Sequence, residues 1–206
     1  MREQINIAVL VSGGGTNLQA LIDAEKRGCL HSGKITLVIS NNSIAYALKR
    51  AEENGIPHLT ITKKACGGKK EAEEAMLRAL EEHHIDLIIL AGFLSVLSKD
   101  FTSRYERRIL NVHPSLIPAF CGEGYYGLRV HEEALRRGVK ITGATVHYVN
   151  EIADGGEIIL QKAVAVEEGD TPERLQKRVM RMAEWQILPK AAELVSAEIL
   201  KKEKEA

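Results

Sequence analysis

Short apolar runs alternate along this chain with segments whose apolar residues recur every three or four positions. "INIAVLV" (5–11) is apolar and rich in β-branched residues, as a strand covered on both faces requires. Gly13-Gly14-Gly15 follow, then "TNLQALIDAEKRG" (16–28) with helical spacing. "KITLVIS" (34–40) predicts a second strand. "SIAYALKRAEENG" (43–55) predicts a helix ended by Gly55 at the residue past its C-terminus. "IPHLTI" (56–61) is a third strand. "KKEAEEAMLRALEEHH" (69–84) reads as an amphipathic helix, with Met76, Leu77 and Leu80 inward and its acids outward. "IDLIILAGF" (85–93) is the most apolar strand and belongs at the centre of the sheet, and "RILNV" (108–112) is a fifth strand. Strand and helix alternate throughout. The fold class expected is therefore α/β: a doubly wound, mostly parallel twisted sheet, Rossmann-like, with helices on both faces and right-handed crossovers.

The pattern changes after residue 113. "PAFCGEGYYGL" (118–128) is a Gly- and aromatic-rich loop of the size that usually serves a site. "RVHEEALRRG" (129–138) is a short helix. "VKITGATVHYVN" (139–150) and "GEIILQKAVAV" (156–166) are β-rich and flank "EIADGG", which predicts antiparallel strands joined by a long connection. A long terminal helix starts at Thr171 as N-cap, with Pro172 at the first helical position. Pro189 is expected to interrupt it, and the tail "KKEKEA" to be solvated and frayed. No repeat, low-complexity tract or linker divides the chain, so a single domain in two halves is expected, 1–113 and 114–206.

Composition narrows the class. With 206 residues, 45% of them hydrophobic, the chain can bury one sizeable core. Lys plus Arg and Asp plus Glu are 28 each, and this zero net charge argues against a nucleic acid or a membrane surface as main partner. Cys29, Cys66 and Cys121 have no C-x-x-C spacing, which reads as free thiols in a reducing compartment. The N-terminal "MREQINIAVLVSGGG" superficially looks like a secretory signal. Its apolar run is short, Glu3 and Asn6 intrude, and no A-x-A-like site follows, so a cytoplasmic first strand is the better reading. A monomer or weak homodimer is expected.

Three constellations carry chemistry. "SGGGTNL" (12–18) is a Gly-rich turn from strand to helix, where close backbone approach and unpaired N–H groups bind phosphate. It is not a Walker loop, since no Gly-Lys-Ser/Thr follows. In a dinucleotide fingerprint begun at Gly13 the third glycine would fall on Leu18, which favours a monophosphate over NAD. The bland alternative is a tight connecting turn. In "ILNVHPSLIP" (109–118), Asn111 and His113 share one face of an extended segment and emerge at the carboxyl end of a strand, where open α/β sheets place ligands. Asn supplies a neutral donor for a developing oxyanion and His carries a proton near neutral pH. A structural pair that ends a strand is the alternative. Asp154, followed by Gly155-Gly156, is either an ordinary turn acid or a carboxylate that orients and charges His113.

Other residues receive plainer readings. Cys121 is eight positions after His113, and no signature supports a Cys/His nucleophile pair. His83-His84 ends a helix, where the dipole alone favours it. His131 is read as helix surface, His147 as a strand residue, and Trp185 as core. Lys69-Lys70 reads as a solvated helix start or an attractor for an acidic tail.

"SGGGTNLQALID", "LAGFLSVLS", "LNVHPSLIPAF", "GATVHYV" and "DGGEIILQ" together resemble, in order and spacing over nearly the whole chain, the folate-dependent formyltransferases that act on glycinamide ribonucleotide. The Asn-x-His-Pro-Ser-Leu segment with the later Asp-Gly-Gly is specific for the formyl-tetrahydrofolate transferase superfamily. Relatives that act on methionyl-tRNA or hydrolyse formyl-tetrahydrofolate carry a further domain. The resemblance implies formyl transfer from 10-formyltetrahydrofolate, as co-substrate and without metal, to the amine of glycinamide ribonucleotide in purine synthesis. It implies that Gly15, Thr16 and Asn17 hold the phosphate and Glu184 the ribose hydroxyls. Residues 1–113 become the nucleotide-binding half and 114–206 the folate and catalytic half. Leu94, Ser95, Val96 and Leu97, with Asn150, Glu151, Ile152, Ala153 and Asp154, line the pterin end of the folate site beside Asn111. Asn111, His113 and Asp154 match the catalytic trio, with Asp154 keeping His113 charged or partly so. Three features depart from the family pattern: the loop after Pro118 is longer, Ser95 replaces an Arg found in some members, and Glu157 replaces a common Pro. Lys69 is the basic residue expected near the folate tail. A formyl-tetrahydrofolate hydrolase, a formyltransferase for another amine, a dinucleotide-dependent oxidoreductase and a non-catalytic nucleotide-binding module remain as rivals.

Overall fold

In the computed structural model, which describes residues 2–205, seven strands form one sheet in the order β3-β2-β1-β4-β5-β6-β7. In chain order the elements are β1 (Ile5–Val11), α1 (Thr16–Lys26), β2 (Gly33–Ser40), α2 (Tyr46–Glu53), β3 (His58–Thr60), α3 (Lys63–Cys66), α4 (Lys69–Glu82), β4 (Leu87–Leu90), α5 (Lys99–Arg104) and β5 (Ile109–His113). Then come α6 (Leu128–Arg137), β6 (Ile141–Tyr148), β7 (Ile158–Ala165), α7 (Pro172–Val179), a π-helical turn (Met180–Glu184) and α8 (Trp185–Glu205). The first five strands pair in parallel, and β6 and β7 extend the sheet antiparallel, as the α/β reading expects. The apolar "LIIL" of β4 occupies the middle position and is wholly buried.

Period-two alternation divides the strands between two cores. Ile7, Val9, Leu87, Ile89, Leu110, Val112, Ala144 and Val146 face one core with Leu18 and Leu21 of α1 and Leu188 and Ala191 of α8. Ala8, Leu10, Ile88, Leu90 and Ile109 face the other, against Met76 and Leu80 of α4 and Phe101 of α5. By the same alternation Asn111 and His113 on β5, and Thr145 and His147 on β6, point away from the first core. A polar stripe thus continues the second face beyond the reach of α4 and α5.

Local chemistry explains the boundaries. Thr171 caps α7 by accepting from the Arg174 N–H, with Pro172 in the first turn. Gly55 follows α2 with a φ of 66°, and its N–H and that of Ile56 satisfy the Glu52 and Ala51 carbonyls. Pro189 does not break the terminal helix, contrary to expectation. It lies near the start of α8, just after the π-helical turn. The ring removes the donor that would pair with the Trp185 carbonyl, and the helix nonetheless continues to Glu205. Nor is the tail frayed: through Glu205 it is exposed but helical, with Lys202 bonded to Glu198 and Glu203 paired with Arg2. Cys29, Cys66 and Cys121 are free thiols, and among the described residues no helix is long and apolar enough to cross a membrane.

Candidate active site

A cavity of about 600 Å³ opens at the carboxyl ends of β1, β4 and β5, where the strand order reverses between β1 and β4. Asn17, Leu94–Leu97, Asn111, His113, Asn150, Ile152, Ala153, Asp154 and Glu184 all line it. Both halves of the chain therefore contribute to one space. Glu151 is exposed and outside the lining, and Gly15 and Thr16 stand just beyond it. Lys69 is not brought to the cavity: it lies on the first turn of α4, 3.7 Å from Glu73, its i+4 neighbour.

The glycine turn is built by close packing. Gly15 precedes α1 with a φ of 70°, and a Cβ there would come within 2.6 Å of the Ala47 Cβ. Arg50 Nε donates to the Gly14 carbonyl at 2.8 Å, and the Ala47 N–H donates to that of Gly13 at 3.1 Å. The first N–H groups of α1 are left without a side-chain cap, as an anion site requires. Asn17 then donates from Nδ2 to Glu184 Oε2 at 2.8 Å, with its own Oδ1 buried and without a partner. The π-helical turn places Glu184 here, only 6% exposed, and burial pushes its carboxyl up to about 7 against the Asn17 bond. Ser12 ties this turn to the apolar loop through its Oγ, which accepts from the Leu94 N–H at 2.9 Å. Leu94 and Val96 remain 66% and 58% exposed at the mouth, an apolar surface available to a planar ligand.

Asp154 does close over His113. Gly156 makes the return possible, because a Cβ there would overlap the Tyr148 carbonyl at 1.7 Å. Asp154 itself sits in the left-handed region at a φ of 54°, strain held at the site by its bonds. Its Oδ2 lies 3.4 Å from His113 Nδ1 and accepts the Gly122 N–H at 2.9 Å, and its Oδ1 accepts from Asn111 Nδ2 at 3.3 Å. Burial opposes the Asp154 charge, but His147, His113 and the Gly122 N–H outweigh it and hold the carboxyl below its usual range. His113 Nε2 is 2.8 Å from the Phe120 carbonyl, which requires an N–H there. Burial lowers the His113 pKa, and it outweighs Asp154 and the Phe120 carbonyl, which raise it. Asp154 therefore pulls the ring toward its charged form, as expected, while desolvation opposes it and is the larger of the two effects.

Several residues escaped the sequence reading. His147, read only as a strand residue, lines the cavity with Nε2 3.2 Å from Asn111 Nδ2. His131, read as helix surface, is fully buried on α6 with both ring nitrogens unpartnered, and burial takes it down to about 4. Trp185, read as core, is half-buried and lines a second cavity of about 320 Å³ with Thr16 and Arg50. The loop after Pro118 contributes its backbone at Phe120 and Gly122, plus lining from Glu123 to Gly127. Period-two phasing in "ATVHYV" is the signal that puts His147 on the polar face of its strand, but only the β5–β6 register places it opposite Asn111. Cys121 gives its thiol to the Pro118 carbonyl, and burial and Asp154 raise its pKa, which suits no nucleophile. Among the described residues no group of three or more His, Cys, Asp or Glu is close enough to hold a metal ion.

Residues 5–192 match the model of the formyl transferase family. The chain belongs to that family. Among formyl transferase relatives, it is 42% identical to the phosphoribosylglycinamide formyltransferase of Haemophilus influenzae, over 89% of this chain and 83% of that protein. It is 43% identical to the human trifunctional purine biosynthetic protein adenosine-3 over 95% of this chain, but spans only 19% of that protein's length. The crystal structure of glycinamide ribonucleotide transformylase 1 from Symbiobacterium toebii superposes with a TM-score of 0.88 at 39% identity, covering 95% of this chain and 89% of that one.

Proposed function

We propose that this formyl transferase moves the formyl group of 10-formyltetrahydrofolate to the amine of glycinamide ribonucleotide. The products are formylglycinamide ribonucleotide and tetrahydrofolate, a step of de novo purine (IMP) biosynthesis in the cytoplasm. The observation that carries the reading is the junction of Asn111, His113 and Asp154 in one cavity, between a glycine turn suited to phosphate and an apolar loop suited to a pterin. The names of the relatives support the same substrates. Gly15, Thr16 and Asn17 take the phosphate and Glu184 the ribose, while Leu94–Leu97 and residues 150–154 take the folate. Residues 1–113 supply the nucleotide side and 114–206 the rest, with Glu184 reaching back from the second half to Asn17.

The neutral amine attacks the formyl carbon, and the carbonyl electron pair moves to oxygen. Asn111 donates to that oxyanion, in a cavity whose burial strengthens the bond. The C–N10 bond then breaks, its electron pair stays on N10, and the proton released by the amine ends there. His113 takes that proton from the amine and hands it to N10, ending as it began, with Asp154 beside its Nδ1 to orient the ring and favour its charged form in between. To reach the reacting atoms, His113 exchanges its bond to the Phe120 carbonyl for one to substrate.

Incubation of the protein with 10-formyltetrahydrofolate and glycinamide ribonucleotide, followed by product analysis, tests this reading. Formylated glycinamide ribonucleotide is expected. Free formate as main product would make the protein a hydrolase, and binding without turnover would make it a nucleotide-binding module.

A further inference from the structure

We infer that His147 is a positioning residue that fixes which end of the Asn111 amide faces the reaction. This inference rests on the proposed role of Asn111. A side-chain amide has two ends of nearly equal shape, one a donor and one an acceptor, related by a half-turn. Only the N–H end stabilises an oxyanion. Something must therefore select it before substrate binds, or the site is half-populated with an amide that repels the developing charge.

Register brings the selector into place. Asn111 and His147 are direct partners across the antiparallel β5–β6 pair, with side chains on the same face. His147 is 1% exposed, and its Nδ1 is 2.7 Å from the Tyr148 carbonyl. A carbonyl only accepts, so the proton of the neutral ring is on Nδ1 and Nε2 carries a lone pair. That lone pair is 3.2 Å from Asn111 Nδ2, while Asp154 Oδ1, at 3.6 Å from the same Nε2, is beyond hydrogen-bond distance. The second neighbour of the same nitrogen is Asp154 Oδ1 at 3.3 Å, also an acceptor. Two acceptors in one corner leave the amide oxygen no partner there, so the NH2 end is chosen.

The two bonds have different fates. Asp154 also serves His113 and Gly122 through Oδ2, and its bond to Asn111 is the one exchanged for the formyl oxygen. The His147 bond persists and keeps the amide from turning while this exchange occurs. Asp154 alone cannot do this, because the hydrogen it holds is the one the reaction needs. His147 touches no reacting atom in this account.

Nitrogen-15 NMR of histidine-labelled protein at neutral pH tests the tautomer, with His147 assigned by the resonance lost in His147→Gln. Nε2 is expected in the unprotonated range and Nδ1 in the protonated range, and a proton on Nε2 overturns the inference. Kinetics test the consequence. His147→Met removes the acceptor at similar length and is expected to lower kcat about 10–100-fold, with KM for both substrates within about threefold. His147→Gln, whose Oε1 reaches the Nε2 position, is expected to keep kcat within about fivefold. In an Asn111→Ala background His147→Met should cost nothing more, since the group it positions is gone. Near-normal kcat in His147→Met, or an equal loss in the Asn111→Ala background, overturns the inference. If Asn111→Ala itself turns over normally, the proposed function fails; if it is crippled and His147→Met is not, only this inference fails.

Discussion

Replacing Glu184 with Gln probes the acid buried beneath the glycine turn. Glu184 is 6% exposed, its one polar partner is Asn17, and burial lifts its carboxyl from 4.5 to about 7. Between those two values the native state holds a proton that the unfolded chain has already released. Native stability must then fall as pH rises through that window. Integrated from pH 5 to pH 8, this one group removes on the order of 2–3 kcal/mol from the wild-type protein. Gln has no proton to lose, so the stability of Glu184→Gln relative to wild type must grow by that amount over the same range. All other titrating groups cancel in the difference. For a chain of this size the relative gain corresponds to roughly 5–10 °C in Tm. Thermal denaturation of both proteins at pH 5, 6.5 and 8, followed by circular dichroism, reads it directly. A Tm difference that stays flat or narrows with pH would refute the buried-acid reasoning.

Further outcomes follow from the same geometry. Asp154→Asn removes the largest influence that raises the His113 pKa, so the imidazole should titrate lower still; an unaltered histidine titration by NMR contradicts the coupling. Gly15→Ala forces a side chain into the left-handed region and against Ala47, and should cost about 1–3 kcal/mol in chemical denaturation; wild-type stability there contradicts the packing of the turn. Thr171→Ala removes the cap of α7 and should cost about 1 kcal/mol, with no loss if another group caps the helix.

Much of this molecule was legible because its signals are local. β1, β2 and β4 announce themselves as unbroken apolar runs, and Thr171-Pro172 and Gly55 mark helix ends by their own chemistry. Asn111 and His113 were readable as a pair because strand alternation needs no partner. What stayed hidden depends on register and on folding back. His147 is in phase with the polar face of β6, but nothing in "ATVHYV" says which residue of β5 it meets. The burial of His131 depends on how α6 sits over the cavity, and a short polar helix gives no such sign. Pro189 misled because the packing of the buried Leu188, Pro189 and Ala191 holds α8 through one lost bond, and such packing is not local. Lys69 was expected near the folate tail through resemblance alone, and its side chain stays with Glu73.

The central claim is that Asn111 and His113 together carry the formyl transfer. Steady-state turnover of Asn111→Ala and His113→Ala with 10-formyltetrahydrofolate and glycinamide ribonucleotide, in protein shown to be folded, tests it most directly. The account predicts a loss of at least about 10²–10³ in kcat for each. Near-normal turnover in either variant would contradict it.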